Sequence, residues 1–100
     1  IYNMFEFLFA IYCKIDDDWY RLNDIVDLHP GGYNFLKKFH LKDVTKTFYL
    51  IPQHKNITKS MLDKYKVIDQ ILIDKLDKKM KKFVEVVQKI NKIHEVVSSK

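Results

Sequence analysis

The tetrapeptide His29-Pro30-Gly31-Gly32 limits the fold of this chain more than any other stretch. It contains both glycines of the 100-residue sequence and one of its two prolines. Proline disfavours helical backbone in the residue before it, and glycine enters left-handed conformations without a steric penalty. The sequence therefore predicts that a helix ends at His29, that the chain turns sharply, and that backbone approaches its neighbours closely there.

The chain before this turn predicts two strands. Its aromatic-rich start, residues 1–12, favours a buried strand, and apolar residues alternate on one face of the stretch from Phe7 to Ile15. The residues of that face are Phe7, Phe9, Ile11, Cys13 and Ile15. Three aspartates at 16–18 form a polar turn, and Trp19-Tyr20 predicts a short returning strand.

Four short helices are expected in the middle of the chain, and a further strand after them. The first helix begins at Asn23 or Asp24, either of which can cap it, and Asp43 can cap the third. The other predicted ranges are 33–39, 43–49 and 56–64, followed by a strand over 65–68 that returns to the sheet.

Residues 71–100 predict one long amphipathic helix, because apolar positions advance by threes and fours. The residues of this seam are Ile73, Leu76, Met80, Phe83, Val87, Ile90, His94 and Val97. Lysines occupy the other faces. Three roles are expected for this seam, in order of preference. It packs back on the domain or against the next part of a larger protein; it associates with a second copy as a coiled coil; or it adsorbs to anionic lipid.

Composition narrows the function classes. Apolar residues make up 47% of the chain, enough for one small core. The formal charge is +5, but Arg21 is the single arginine, which argues against sequence-specific nucleic-acid recognition. A lone cysteine, Cys13, cannot form an internal disulfide, so the fold does not depend on an oxidising compartment. The expected location is the cytoplasm or the cytosolic face of an intracellular membrane, with any membrane anchor outside this segment.

His29 and His54 are the candidate metal ligands. Two imidazoles from opposite walls of an apolar slot can fill both axial positions of a haem iron. Residues available to line the slot are Leu22, Ile25, Phe35, Leu36, Phe48, Ile51, Met61, Leu62 and Tyr65. His40 is expected on a surface loop and His94 within the helix seam. Four histidines and one cysteine give no compact zinc spacing.

Several ordered motifs resemble the cytochrome b5 haem-binding domain over roughly residues 8–70. They are Trp19-Tyr20-Arg21-Leu22, His29-Pro30-Gly31-Gly32, Asp43-Val44-Thr45 with Phe48, His54, and Tyr65-Lys66-Val67-Ile68. The chain departs from the family pattern at Pro52, where a glycine usually precedes the second histidine, and carries one extra residue between Asp43 and His54. The resemblance implies an α+β fold in which a small mixed sheet and two helical hairpins form a haem pocket.

This resemblance also implies that the chain has two regions. Residues 1–70 would be the haem-binding domain and 71–100 the amphipathic extension. Haem b would be the cofactor, with His29 and His54 on the iron. The implied pocket residues are Leu22, Ile25, Gly31, Gly32, Phe35, Leu36, Phe48, Met61, Leu62 and Tyr65.

The resemblance implies one-electron transfer rather than catalysis. In the family, such a domain is sometimes a fused part of a larger oxidoreductase. Electrons would come from a flavin-dependent reductase and pass to an acceptor such as a lipid-modifying oxidase. Self-association through residues 71–100 is a further expectation. The alternative is a b5-like fold without functional haem that serves as an interaction or ligand-binding module.

Overall fold

A computed structural model describes residues 8–98, with side-chain exposure given as far as His94. Its sheet has three strands: β1 (Tyr12–Ile15), β2 (Asp18–Arg21) and β3 (Lys42–Asp43). The strand order is β2-β1-β3, with β1 antiparallel to β2 and parallel to β3. The predicted α+β class with a small mixed sheet is therefore confirmed.

A two-residue turn joins β1 to β2. Asp16 and Asp17 have φ values of 50° and 68°, so both lie in the left-handed region. Consecutive positive φ values give a tight hairpin loop the twist that matches its strands. Asp18 pairs with Ile15 as the first residue of β2. The predicted turn and returning strand are confirmed, with the third aspartate inside the strand.

Short helical segments follow the hairpin and a long helix ends the described chain. The helices are α1 (Gly32–Leu36), α2 (Thr45–Leu50), α3 (Lys59–Asp63) and α4 (Gln70–Ser98). Three 3-10 turns lie among them at Asn23–Ile25, Lys37–Phe39 and Pro52–His54. All four predicted short helices are present, although the first is a single 3-10 turn.

Two local predictions at the start of the chain are wrong. Leu8 and Phe9 are helical and exposed, and regular pairing begins only at Tyr12. Asn23 does not cap the turn that it begins: its amide accepts from the backbone N–H of Ile11 at 2.8 Å and donates to the carbonyl of Phe9 at 2.8 Å. Because Asn23 satisfies the backbone just before β1, it fixes where that strand begins. The predicted strand over residues 1–7 lies outside the described residues.

The predicted strand at 65–68 is reduced to an isolated bridge between Tyr20 and Lys66. The backbone N–H of Arg21 donates to the carbonyl of Tyr65 at 2.8 Å, and that of Val67 donates to the carbonyl of Trp19 at 2.9 Å. These two bonds fasten the segment to the outer edge of β2 without extending the sheet.

Both faces of the sheet are buried, each by a different cluster. Successive side chains of a strand point to opposite faces. One face carries Tyr12 and Trp19, which pack with Val67, Leu72 and Leu76. The opposite cluster consists of Ile11, Cys13, Ile15, Tyr20, Leu22 and Leu36. The helical segments between β2 and α4 therefore cover one side of the sheet, and the start of α4 covers the other.

The long helix α4 is anchored at its N-terminal end. The Asp69 carboxylate accepts from the backbone N–H groups of Ile71 and Leu72, which satisfies donors that a helix start leaves free. Further along, the Asp77 carboxylate accepts from Trp19 Nε1 at 2.8 Å and pairs with Lys14 Nζ at 3.1 Å. The predicted long helix is present over Gln70–Ser98, while its amphipathic role and the division of the chain at residue 70 stay predictions.

Within the described part of the chain, none of the helices combines the length and the apolar character needed to cross a bilayer.

Candidate functional site

An apolar cavity of about 160 Å³ lies on the face of the sheet opposite α4. Its floor is β1, and its walls are the segments on either side of β3. The lining residues are Cys13, Ile15, Leu22, Ile25, His29, Phe35, Leu36, Phe39, Val44, Thr47, Phe48, Ile51, His54 and Ile57. Apart from Cys13, the titratable side chains in this lining are His29 and His54.

His29 and His54 face each other across this cavity. Their ring centroids are 6.3 Å apart and the ring planes are inclined by 56°. Two imidazoles bound to one metal from opposite sides, each through a bond of about 2 Å, have ring centres roughly 6 Å apart. The observed centroid separation is of that size.

Hydrogen bonds to backbone carbonyls set the tautomer of both rings. Nδ1 of His29 lies 2.8 Å from the carbonyl oxygen of Pro30, and Nδ1 of His54 lies 2.9 Å from that of Phe48. A carbonyl only accepts, so each Nδ1 carries the proton and donates it. This leaves Nε2 of each ring with a free lone pair. A second-nitrogen hydrogen bond of this kind is the usual way in which proteins orient a ligating histidine.

Aromatic rings support both imidazoles. Phe48 stacks on His54 with centroids 4.5 Å apart and an interplanar angle of 28°. Phe35 lies nearly parallel to His29 at 5.8 Å and 15°. These contacts restrict rotation of the histidine rings, which holds them in place before any ligand enters.

The glycine pair shapes the turn after His29. Gly31 and Gly32 have φ values of 90° and 59°, a region that residues with a Cβ atom enter at a cost. A Cβ placed on Gly31 would lie 2.7 Å from Cβ of Phe35, whereas one on Gly32 would meet its nearest neighbour, the carbonyl of Val26, at 3.8 Å. Gly31 is therefore required for the close approach of the Phe35 side chain to the turn, and Gly32 mainly for backbone conformation.

Asp43 fixes the start of α2, the helix that carries Phe48. Its carboxylate accepts from the backbone N–H of Thr45 at 3.0 Å and from the Thr45 hydroxyl at 2.7 Å. These bonds, the side-chain bond foremost, lower the pKa of Asp43 below its usual value. Val44 occupies the N-cap position of α2. Asp43, the predicted capping residue, therefore bonds to the start of the helix from the position before the cap.

Eight of the predicted site and slot residues line the cavity together: Leu22, Ile25, His29, Phe35, Leu36, Phe48, Ile51 and His54. Gly31 and Gly32 form the turn beside it. Leu62 and Tyr65 pack against the cluster beneath the cavity without lining it, and Met61 is 52% exposed. The roles of these residues in binding stay predictions.

Sequence reasoning did not name Cys13 and Ile15 as lining residues. The signal was present, because both lie on the alternating face of β1 that was predicted to point inward. Burial raises the pKa of the Cys13 thiol to about 12, so this group stays protonated at neutral pH. Cys13 therefore forms a neutral wall of the cavity rather than a thiolate ligand.

The other two histidines lie elsewhere. Nδ1 of His40 accepts from the backbone N–H of Tyr12 at 3.0 Å, at the edge of β1. His94 was expected to pack within the helix seam, but it is exposed on α4, so that expectation is wrong. In the part of the chain that is described, no three His, Cys, Asp or Glu side chains are grouped so that they could hold a metal ion by themselves.

Comparison with known proteins points the same way as this geometry. Over 56 residues the chain is 41% identical to a curated Neurospora crassa protein named "Putative cytochrome b5". The segment is cytochrome b5-like. The aligned stretch covers 56% of this chain and 61% of the Neurospora protein, so the chain spans less than two thirds of that relative. No family model matches the chain. The resemblance drawn from the His-Pro-Gly-Gly turn and its neighbouring motifs is confirmed.

Proposed function

We propose that this chain is a haem-binding one-electron carrier in which His29 and His54 are the two axial ligands of the iron. The observation that carries the proposal is the pair of imidazoles 6.3 Å apart across an apolar cavity. The name of the Neurospora protein supports the cofactor class.

The residues present fit a haem in chemical character. The lining is almost entirely apolar, as a porphyrin face requires, and each imidazole keeps Nε2 free. Pockets for drug-sized ligands measure about 300–1,000 Å³, and this cavity measures about 160 Å³. Side chains of the lining must therefore move apart on binding.

Haem supplies an iron that cycles between its ferric and ferrous states. The protein's part is to hold both imidazoles through the carbonyls of Pro30 and Phe48, and to keep water from the slot with apolar walls. His29 and His54 would together hold the iron, and no coordination position would then be left for oxygen or substrate. We therefore assign electron transfer to the chain and no catalytic step of its own.

We propose a flavin-dependent reductase as donor and an oxidase that modifies lipids as acceptor, on the cytosolic side of the cell. The proposal rests on the b5-like character of the segment. Exposed lysines at 37, 38, 46 and 55 stand near the cavity in sequence. Partners with acidic docking surfaces would suit these exposed lysines better than partners that dock through their own lysines.

The absorption spectrum tests the proposal. Purified chain loaded with haem should show a Soret band that shifts and sharpens on reduction, with little response to carbon monoxide. His29→Ala and His54→Ala should each open a coordination position and make the ferrous protein bind carbon monoxide. His94→Ala is the matched control, because that histidine is exposed on α4, and its spectrum should equal that of the parent chain.

Two outcomes would overturn the assignment. Carbon monoxide binding by the unaltered protein would show that the two-histidine ligation is wrong. A chain that stays colourless after loading would instead favour a b5-like fold that acts as an interaction or ligand-binding module.

A further inference from the structure

The turn between β1 and β2 is bonded to α2 at two points, a connection that the proposed function leaves unused. The backbone N–H of Asp16 donates to the Thr45 hydroxyl at 2.9 Å. The Tyr49 hydroxyl donates to the Asp16 carboxylate. Thr45 is the first residue of α2, and Tyr49 follows one helical turn later on the same side of the helix. A single turn residue therefore contacts α2 at both ends of one turn.

The backbone conformation of Asp16 accompanies this double contact. Its φ of 50° lies in the left-handed region, which aspartate enters more readily than most residues with a Cβ atom. The same conformation closes the tight hairpin loop. Asp16 therefore serves the hairpin through its backbone angles and α2 through its N–H and its carboxylate.

The Thr45 hydroxyl extends the connection to Asp43. It accepts from Asp16 and donates its own proton to the Asp43 carboxylate at 2.7 Å. A hydroxyl has one proton and two acceptor lone pairs, so both bonds can exist together. Beside them, the backbone N–H of Val44 donates to the carbonyl of Lys14 at 2.8 Å. The start of α2 is therefore fixed both to β1 and to the turn that follows β1.

Tyr49 supplies the contact that fixes how α2 is rotated. Bonds at one end of a helix leave the helix free to pivot about that end. A second bond one turn further along removes much of this freedom. Because Phe48 lies directly before Tyr49, the rotation of α2 decides where the ring and the carbonyl of Phe48 point.

Phe48 is the residue through which α2 acts on His54. Its carbonyl accepts from Nδ1 of His54 at 2.9 Å, and its ring stacks on the imidazole with centroids 4.5 Å apart. Both groups move with α2. Rotation of the helix would therefore change the bond that sets the tautomer of His54 together with the contact that holds its ring.

We propose that Asp16, Thr45 and Tyr49 are positioning residues for His54. They hold α2 so that Phe48 presents its carbonyl and its ring to the imidazole. The role of His54 as an iron ligand rests on the proposed function, whereas the hold on its ring does not. The turn between the first two strands thus acts on the second histidine from outside the cavity.

Four substitutions dissect the connection. Tyr49→Phe and Asp16→Gly remove the same bond from its two ends; the first keeps the aromatic ring, and the second keeps the backbone N–H and tolerates a positive φ. Thr45→Val replaces the hydroxyl with a methyl group of nearly the same size. Thr45→Ser keeps the hydroxyl and should restore the behaviour of the parent chain.

Nuclear magnetic resonance of the full chain without haem reads the state of His54 directly. Its ring signals are assigned by their loss in His54→Ala. In the parent chain Nδ1 should carry the proton, and the stacked Phe48 ring should displace the ring-proton resonances. In Tyr49→Phe and Thr45→Val the ratio of held to released imidazole should fall by roughly two- to tenfold, the value of one hydrogen bond. The resonances should then move toward their unfolded positions as the Nε2–H tautomer appears.

Carbon monoxide binding measures the same release in the haem-loaded chain. Carbon monoxide can take the position of His54 only when that imidazole lets go of the iron. The apparent affinity of the ferrous chain for carbon monoxide should therefore rise by the same two- to tenfold in each variant, roughly in proportion to the released fraction. Thr45→Ser should stay close to the parent chain.

A matched control and a double variant test the specificity of the effect. Tyr33→Phe removes a phenol hydroxyl that ties α1 to the carbonyl of Phe9 at 3.1 Å, and it should leave the His54 signals unchanged. Asp16→Gly combined with Tyr49→Phe should do no more than either change alone, since both remove one bond.

The outcomes separate this role from general stability and from the haem assignment. Unchanged His54 signals in folded Tyr49→Phe and Asp16→Gly chains, with Trp19 emission as the check of folding, overturn the proposal. An equal change in Tyr33→Phe overturns it too, because that would be general loosening. Altered His54 signals in a chain that takes up no haem would support the positioning role and refute the haem site. Haem uptake with unaltered signals would do the reverse.

Discussion

Leu76→Ala is the change that best tests whether α4 belongs to the folded domain. Leu76 is 0% exposed and packs in the cluster that contains Tyr12, Trp19 and Leu72. Truncation of a buried leucine to alanine costs about 2–5 kcal/mol of unfolding free energy. Here we expect the upper half of that range, because Tyr12 is held in β1 and Trp19 is tied to Asp77, so the cavity cannot collapse easily.

Urea unfolding followed by Trp19 fluorescence measures this loss, since Trp19 is the single tryptophan and is buried beside Leu76. Ile90→Ala is the matched control on the same helix, at a side chain that is 52% exposed. It should change the unfolding free energy by less than about 0.5 kcal/mol. In thermal unfolding, the Leu76→Ala variant should melt about 10 °C or more below the parent chain.

Comparison of two probes sharpens the same experiment. Fluorescence reports the sheet, and circular dichroism at a helix band reports mainly α4, the longest helix. Coincident transitions would show that sheet and helix unfold together. The reasoning is refuted if Leu76→Ala and Ile90→Ala have equal effects, because α4 would then add nothing to the core.

Three further predictions concern the turn, the thiol and His40. Gly32→Ala should cost about 1–2 kcal/mol for its left-handed backbone, and Gly31→Ala more, since its Cβ also clashes with the neighbouring ring, as thermal unfolding will show. Cys13 should react with a thiol reagent at pH 8 only after urea is added, because burial raises its pKa to about 12. Burial, and secondarily Lys79, lowers the pKa of His40, so stability should fall as the pH drops below its unfolded value of about 6.5. His40→Asn, whose Oδ1 occupies the position of Nδ1 and can still accept from the backbone N–H of Tyr12, should remove that pH dependence in urea titrations.

Local chemistry made much of this fold predictable. The aspartate run gave a two-residue turn with positive φ, and Pro52 ended α2 and began the 3-10 turn that carries His54. The His-Pro-Gly-Gly turn was predictable for the same reason, since proline and glycine restrict or free the backbone without regard to distant contacts.

The errors arose where tertiary contacts decided the outcome. Asn23 is a good capping residue by type, yet its amide pairs with backbone at Ile11 and Phe9, which are distant in sequence. Residues 65–68 have the composition of a strand, but only Lys66 makes a bridge. Met61 and Leu62 are adjacent on α3, and the packing of α3 turns Leu62 toward the cluster and leaves Met61 exposed. Sequence periodicity alone does not set that rotation.

Strand β1 connects the candidate site to the long helix. Cys13 and Ile15 line the cavity on one face, whereas Tyr12 and Lys14 meet α4 on the other, through the Leu76 cluster and the Asp77 pair. Because one short strand serves both, loosening α4 removes packing from the floor of the cavity. If the proposed haem site is correct, a weakened floor would lower the fraction of molecules able to bind haem, and the apparent haem affinity would fall by that fraction. The first turns of α4 thus support the strand that forms the floor of the cavity, although they lie on the far side of the sheet.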